Sequence, residues 1–137
     1  MYSAITDLGY NPGIEERRIT DSDRNESGVI PEPISSSLAA ASNSGKFLLI
    51  DFYAEWCIAC KALDEETLQT TVVQEALENY SFLKVDTDLH EQAASFYDVV
   101  GMPTLLVLDS EGLEVYRLVG LIEPEELSSI LDELVRK

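Results

Sequence analysis

A chain of 137 residues suits one domain plus a tail, and with 45% hydrophobic residues it can bury a core without staples. A formal net charge of −17 and a pI of about 4.1 argue against a nucleic-acid partner and against an anionic membrane surface. No apolar run approaches the ~20 residues of a membrane span. The N-terminus has neither a basic start nor an apolar signal core, so the expectation is a cytosolic protein or the processed or excised soluble part of an exported one.

Residues 1–30 show no sustained hydrophobic period. Asn11-Pro12-Gly13, the charged Glu15-Glu16-Arg17-Arg18 and the polar run Asp21 to Ser27 read as a flexible arm or linker, with the domain expected over 31–137. Pro31 and Pro33 lead into a short helix over Ser35 to Ala41 that ends near Gly45. Phe47-Leu48-Leu49-Ile50 runs into Asp51-Phe52-Tyr53, a strand apolar on both faces, as in a central strand covered by helices. A helix is expected from the cysteines at 57 and 60 to Leu68. Thr71 with Gln74 forms a capping-box pattern, which predicts a second helix from Val72 to Tyr80. Ser81 to Asp86 reads as a strand, and Asp88 with Glu91 as the cap of a short helix ending near Tyr97. Thr104 to Leu108 and Leu113 to Val119 read as a hairpin turning at Ser110-Glu111-Gly112. Pro124 suits the first turn of a last helix, whose apolar stripe is Leu127, Ile130, Leu131 and Leu134. This order predicts an α/β fold, a mixed central β-sheet with helices on both faces.

Cys57 and Cys60 are the only cysteines, and they close the strand-like run as Trp56-Cys57-Ile58-Ala59-Cys60. Two intervening residues put both thiols on the first turn of one helix, close enough to bond, so the pair reads as a redox dithiol. A structural staple fits less well: so short a ring is worth roughly 2 kcal/mol, against ~3 for a 15-residue loop. Zinc wants four ligands, and the chain offers two cysteines and the lone His90, read as a surface residue, so no metal and no cofactor is expected. Exchange needs one partly ionised thiol and a second to resolve the mixed disulfide. The first cysteine meets the positive field of the helix N-terminus most directly and is less covered by the helix. Cys57 is therefore the candidate nucleophile and Cys60 the resolving thiol.

Asp51 interrupts an apolar run, where a carboxylate is costly unless protonated or paired; burial makes it the candidate proton acceptor for Cys60, the alternative being a solvated strand-end acid. Asp64 follows Cys57 by seven residues and Cys60 by four, so on a helix the three share a stripe. It is either a charge that opposes the thiolate or a solvated acid like Glu65 and Glu66. Lys84 is a candidate partner for Asp51 or an exposed strand lysine. Glu55 joins Lys84 as a tuning candidate. Met102-Pro103-Thr104 precedes a strand; a proline there is often cis and leaves the preceding backbone free for an extended peptide, or it is a plain strand-start proline. With Trp56, these three are the candidate substrate-binding residues.

Asp51-Phe52-Tyr53-Ala54-Glu55-Trp56-Cys57 with Cys60-Lys61, and then Val100-Gly101-Met102-Pro103-Thr104-Leu105, resemble the active-site turn and cis-proline loop of the thioredoxin superfamily. Gly120 resembles the glycine after its last strand. The resemblance covers about Ser35 to Lys137. It implies a thioredoxin fold, disulfide exchange, a cis Pro103, and Asp51 as the buried acid beside the resolving cysteine. Ile58-Ala59 departs from the Gly-Pro of thioredoxin itself. The segment from Lys61 to Leu77 is similar to another branch, the C-terminal periplasmic domain of the membrane thiol:disulfide interchange protein DsbD and related soluble proteins. In that branch an acid at the Asp64 position joins the buried aspartate in tuning the cysteines.

Ile58 and Ala59 supply no charge, whereas Asp51, Glu55 and Asp64 supply negative charge that disfavours a thiolate. A reducing dithiol is therefore expected, one that donates electrons to a protein disulfide. The alternatives are an oxidase or isomerase, and a peptide-binding module without catalysis. The expected partners are a disulfide-containing client and an upstream electron donor such as a membrane thiol carrier, with the domain a monomer. The DsbD-like resemblance implies a periplasmic or otherwise extracytoplasmic site; the alternative is the cytoplasm.

Overall fold

The run Phe47-Leu48-Leu49-Ile50-Asp51-Phe52-Tyr53 forms strand β1, Phe47–Tyr53, and in the computed structural model, which describes residues 29–136, it lies inside a four-stranded sheet. The order is β2-β1-β3-β4, with β2 at Tyr80–Asp86, β3 at Thr104–Leu108 and β4 at Glu114–Val119. β1 runs parallel to β2 and antiparallel to β3, which pairs antiparallel with β4. The parallel step needs a crossover, supplied by α2 (Ile58–Leu63), a π-helical turn (Asp64–Leu68) and α3 (Thr71–Leu77). The remaining helices are α1 (Ile34–Asn43), α4 (Glu91–Phe96) and α5 (Pro124–Arg136). The architecture is the mixed sheet flanked by helices that the sequence predicts.

Successive strand side chains point to opposite faces, which divides β1 in two. Leu49 joins Leu105 and Val107 of β3 in a cluster with Leu63, Leu68, Val73, Leu127 and Leu131, so α2, α3 and α5 cover this face. Leu48, Ile50 and Phe52 point the other way and are fully buried. α1 packs on β1 and β2 and buries Ile34, Leu38 and Ala41. Asp51, being odd-numbered, shares the Leu49 face. In α5, Leu127 and Leu131 are buried while Ile130 and Leu134 are half-buried.

Local details differ from expectation. The helix predicted to run unbroken to Leu68 widens at Asp64, where the Gln69 N–H bonds the Asp64 carbonyl five residues back at 3.1 Å. The wider turn buries Thr67, whose Oγ1 donates to the Ile122 carbonyl at 2.7 Å, and leaves Glu65 and Glu66 in solvent. The Thr71–Gln74 capping box does not form. Thr70 is the N-cap of α3, its hydroxyl donates to the Thr67 carbonyl, and Gln74 Nε2 donates to the Leu68 carbonyl. α3 ends at Leu77, because Tyr80 already belongs to β2 and its hydroxyl donates to the Leu131 carbonyl at 2.7 Å. His90, half-buried, stands at the N-cap of α4 and Asp88 does not cap it.

The arm expected over residues 1–30 lies, apart from Val29 and Ile30, outside the described residues. Among the described residues no helix is long and apolar enough to cross a membrane.

Candidate active site

β1 ends at Tyr53, and the turn Ala54-Glu55-Trp56 delivers Cys57 to the start of α2, its N–H bonded to the Ala54 carbonyl at 3.1 Å. Cys57 is the N-cap of α2, with extended backbone (φ −88°, ψ 106°), and its Sγ accepts the Cys60 N–H at 3.1 Å. The two cysteines form a disulfide with their Cα atoms 5.2 Å apart. Tyr53, Ala54, Ala59 and Met102 pack around them, leaving Cys57 7% and Cys60 5% exposed. Exposure therefore does not set Cys57 apart, contrary to expectation; position does. Cys57 holds the cap position at the positive end of α2, and Cys60 lies one turn inside the helix.

Asp51 is 2% exposed and lies between Leu49, which packs with Leu63, and Tyr53, which packs with the cysteines. It therefore faces the same side of the sheet as Leu49, the side that α2, α3 and α5 cover. Its Oδ1 has no hydrogen-bond partner. Burial pushes its pKa up to about 6; the positive Lys84 pulls against that rise and the negative Asp64 adds to it.

Lys84 stands directly across the sheet from Asp51. Its ion pair is nevertheless with Asp64, Nζ to Oδ1 at 3.9 Å, and the ammonium lies 4.6 Å from the centre of the Tyr53 ring. The pairing expected with Asp51 is replaced by one at the rim, because the Asp64 carboxylate is partly solvated and a buried pair would lose more hydration. The second Asp64 oxygen accepts Gln69 Nε2 at 3.0 Å. Asp64, Lys84, Cys60 and Glu55 line one open pocket with Tyr53 and Ala54. Lys84→Gln is expected to move the Asp51 titration upward from about 6. A carboxyl-carbon NMR titration checks this, and an unmoved midpoint contradicts the electrostatic link.

The Met102–Pro103 peptide is cis. Pro103 is buried, its carbonyl accepts the Gly120 N–H at 2.9 Å, and Gly120 holds φ at +102°, which favours glycine. A Cβ on Gly101 would come within 3.3 Å of Val119 Cγ1, so this loop and the end of β4 lie close together. Thr104 is fully buried and its hydroxyl donates to the Gly101 carbonyl at 2.6 Å, so its side chain shapes the loop from within. Among the described residues the Met102 main-chain N–H and C=O take no intramolecular hydrogen bond. Trp56, Ile58 and Val100 are exposed.

Two residues that no motif announces complete the site. Asp88 accepts the Trp56 indole N–H at 2.9 Å, fixing an exposed ring. Thr87 bonds the Tyr53 carbonyl through its N–H at 2.8 Å, and its hydroxyl lies 3.1 Å from both that carbonyl and the Met102 sulfur. The one available signal is position: both follow the carboxyl end of β2, beside the end of β1, where open α/β sheets place ligands.

The family model for a thioredoxin-like domain matches residues 34–134. The chain belongs to the thioredoxin-like family. This thioredoxin-like chain is 38% identical over 82 residues to the thiol:disulfide interchange protein DsbD of Pseudoalteromonas atlantica, covering 57% of the chain and 14% of that protein. With DsbD of Cronobacter sakazakii the identity is 30% over 104 residues, 72% of the chain and 18% of the relative. The chain thus spans less than a fifth of the length of these curated relatives. A thioredoxin from Thermus thermophilus superposes with a TM-score of 0.67 at 27% identity, over 75% of this chain and 84% of that one. The C-terminal domain of Neisseria meningitidis DsbD in its oxidised form gives 0.62 at 24% identity, over 73% and 91%, a likeness of fold.

Proposed function

We propose that this thioredoxin-like domain is a thiol–disulfide oxidoreductase that reduces disulfides in protein clients. The carrying observation is the Cys57–Cys60 disulfide at the cap of α2, packed against Met102 of the cis-proline loop. In the reduced form the Cys57 thiolate attacks a client disulfide. A Cys57–client S–S bond forms, the client's own S–S bond breaks, and the departing sulfur leaves as a thiolate that takes a proton from water. Cys60 then gives its proton to Asp51, and its sulfur attacks Cys57 Sγ. The Cys57–Cys60 bond closes and the second client thiolate departs. Two electrons have passed to the client, so an upstream dithiol must reduce the domain before each new turn.

Asp51 suits the acceptor role, since a carboxylate with a pKa near 6 is ionised at neutral pH yet basic enough to take a thiol proton. The Met102 main chain, which takes no hydrogen bond among the described residues, suits an extended client segment that adds hydrogen bonds as a strand does, and Trp56, Ile58 and Val100 offer exposed apolar surface. Asp51 and the partly screened Asp64 leave the thiolate less favoured than in an oxidase, which makes the dithiol reducing. A glutathione redox titration is expected to give a potential below about −230 mV, and a value at or above about −180 mV, the range of disulfide isomerases, overturns the direction.

The similarity to DsbD supports an extracytoplasmic site and a membrane-bound thiol donor. Efficient reduction by a flavin-dependent thioredoxin reductase would instead assign the domain to the cytosol.

A further inference from the structure

Thr87 is the first residue after β2. Its N–H already bonds the Tyr53 carbonyl at 2.8 Å, so the end of β1 is tied down without help from the side chain. The hydroxyl is 3.1 Å from that carbonyl and 3.1 Å from the Met102 sulfur. A threonine hydroxyl carries one proton, and both neighbours are acceptors, so the proton is divided between them. Among the described residues this hydroxyl is the polar contact on the Met102 sulfur. Met102 in turn packs against the buried cluster that Ala54, Cys57 and Cys60 form. An unbranched side chain with three rotatable bonds does not hold such a place by itself.

We propose that Thr87 is a positioning residue for disulfide exchange, its hydroxyl holding the Met102 thioether against the Cys57–Cys60 pair. The proposal rests on the reductase reading above. A sulfur held in one rotamer keeps the client-facing loop formed before binding, so the client does not bear the cost of ordering it.

The test compares Thr87→Val, which keeps the shape and the backbone bond but lacks the hydroxyl, with Thr87→Ser, which keeps the hydroxyl. Thr87→Val is expected to raise KM for a disulfide client about fivefold, the worth of one modest hydrogen bond, with kcat changed less than about twofold. Thr87→Ser is expected to return KM to the wild-type value. The chain has two methionines, so a methionine-methyl-labelled sample gives two resonances, and loss of one in Met102→Leu assigns it. In Thr87→Val the Met102 signal is expected to move to the averaged position of a free methionine. An unchanged KM and an unmoved Met102 signal in Thr87→Val overturn the proposal, as does failure of Thr87→Ser to rescue. A wild-type chain without reductase activity overturns the functional reading, and the Met102 resonance then still decides whether Thr87 holds the sulfur.

Discussion

Cys57→Ser is expected to lower disulfide reduction at least about a thousandfold, because no other group supplies the nucleophile and such losses are large wherever an activated nucleophile is removed. Cys60→Ser is expected to stop the cycle one step later. Cys57 still opens the client disulfide, but no second thiol can close on it, so a Cys57–client mixed disulfide accumulates. Mass spectrometry of the trapped species reads this directly, as the mass of the domain plus one client. The distinction rests on position, since the two residues are almost equally covered: Cys57 caps α2 and receives the Cys60 N–H, and Cys60 lies within the helix. An active Cys57→Ser, or trapping by Cys57→Ser in place of Cys60→Ser, reverses the assignment.

Asp51→Asn is expected to make the oxidised domain more stable and a poorer catalyst. The folded pKa is raised from 3.8 to about 6, so the fold binds the proton more tightly than the unfolded chain. The contribution of protonated Asp51 to stability is therefore fully present below the unfolded value of 3.8 and is lost as pH rises through about 6. At pH 8 the ionised, half-unpartnered carboxylate costs on the order of 3 kcal/mol, or roughly 10 °C in Tm for a domain of this size. Urea unfolding of the oxidised proteins is expected to show Asp51→Asn gaining up to about that amount at pH 8 and almost nothing at pH 3.5. The same variant should slow the resolving step on the order of 10- to 100-fold, because an amide accepts no proton from Cys60. The rise in rate with a midpoint near pH 6 should vanish with it. Equal stability of variant and wild type at pH 8 would mean that Asp51 is solvated in solution. A buried acid kept at such a cost is what a functional constraint, opposed to stability, leaves behind.

The sequence was most legible where the signal is local. The apolar run at Phe47 to Tyr53, the cysteines that close it, and the proline-led helix at Pro124 each carry their own pattern, and each stands where expected. Legibility failed where a side chain had two local options. Thr71 with Gln74 and Asp88 with Glu91 have the right spacing for capping boxes. Neither box forms, and the side chains are drawn to other partners, Gln74 to the Leu68 carbonyl and Asp88 to Trp56. Lys84 was legible as a neighbour of Asp51 but not as the ion partner of Asp64, since sequence does not tell how far a long side chain reaches toward solvent.

By itself the sequence determined the order of strands and helices, the dithiol at a strand-to-helix junction, and an acid in an apolar strand. These follow from periodicity and from residues adjacent along the chain. Only the tertiary structure decided which groups surround the sulfurs. Asp88 meets Trp56 across 32 residues, Thr87 meets Tyr53 across 34, and Thr87 meets Met102 across 15. Those meetings depend on the register of β1 with β2 and β3, which brings the three strand ends and their loops to one end of the sheet. Register is set by burying Leu48 to Phe52 between two helical layers, a cooperative result that no short stretch of residues specifies alone.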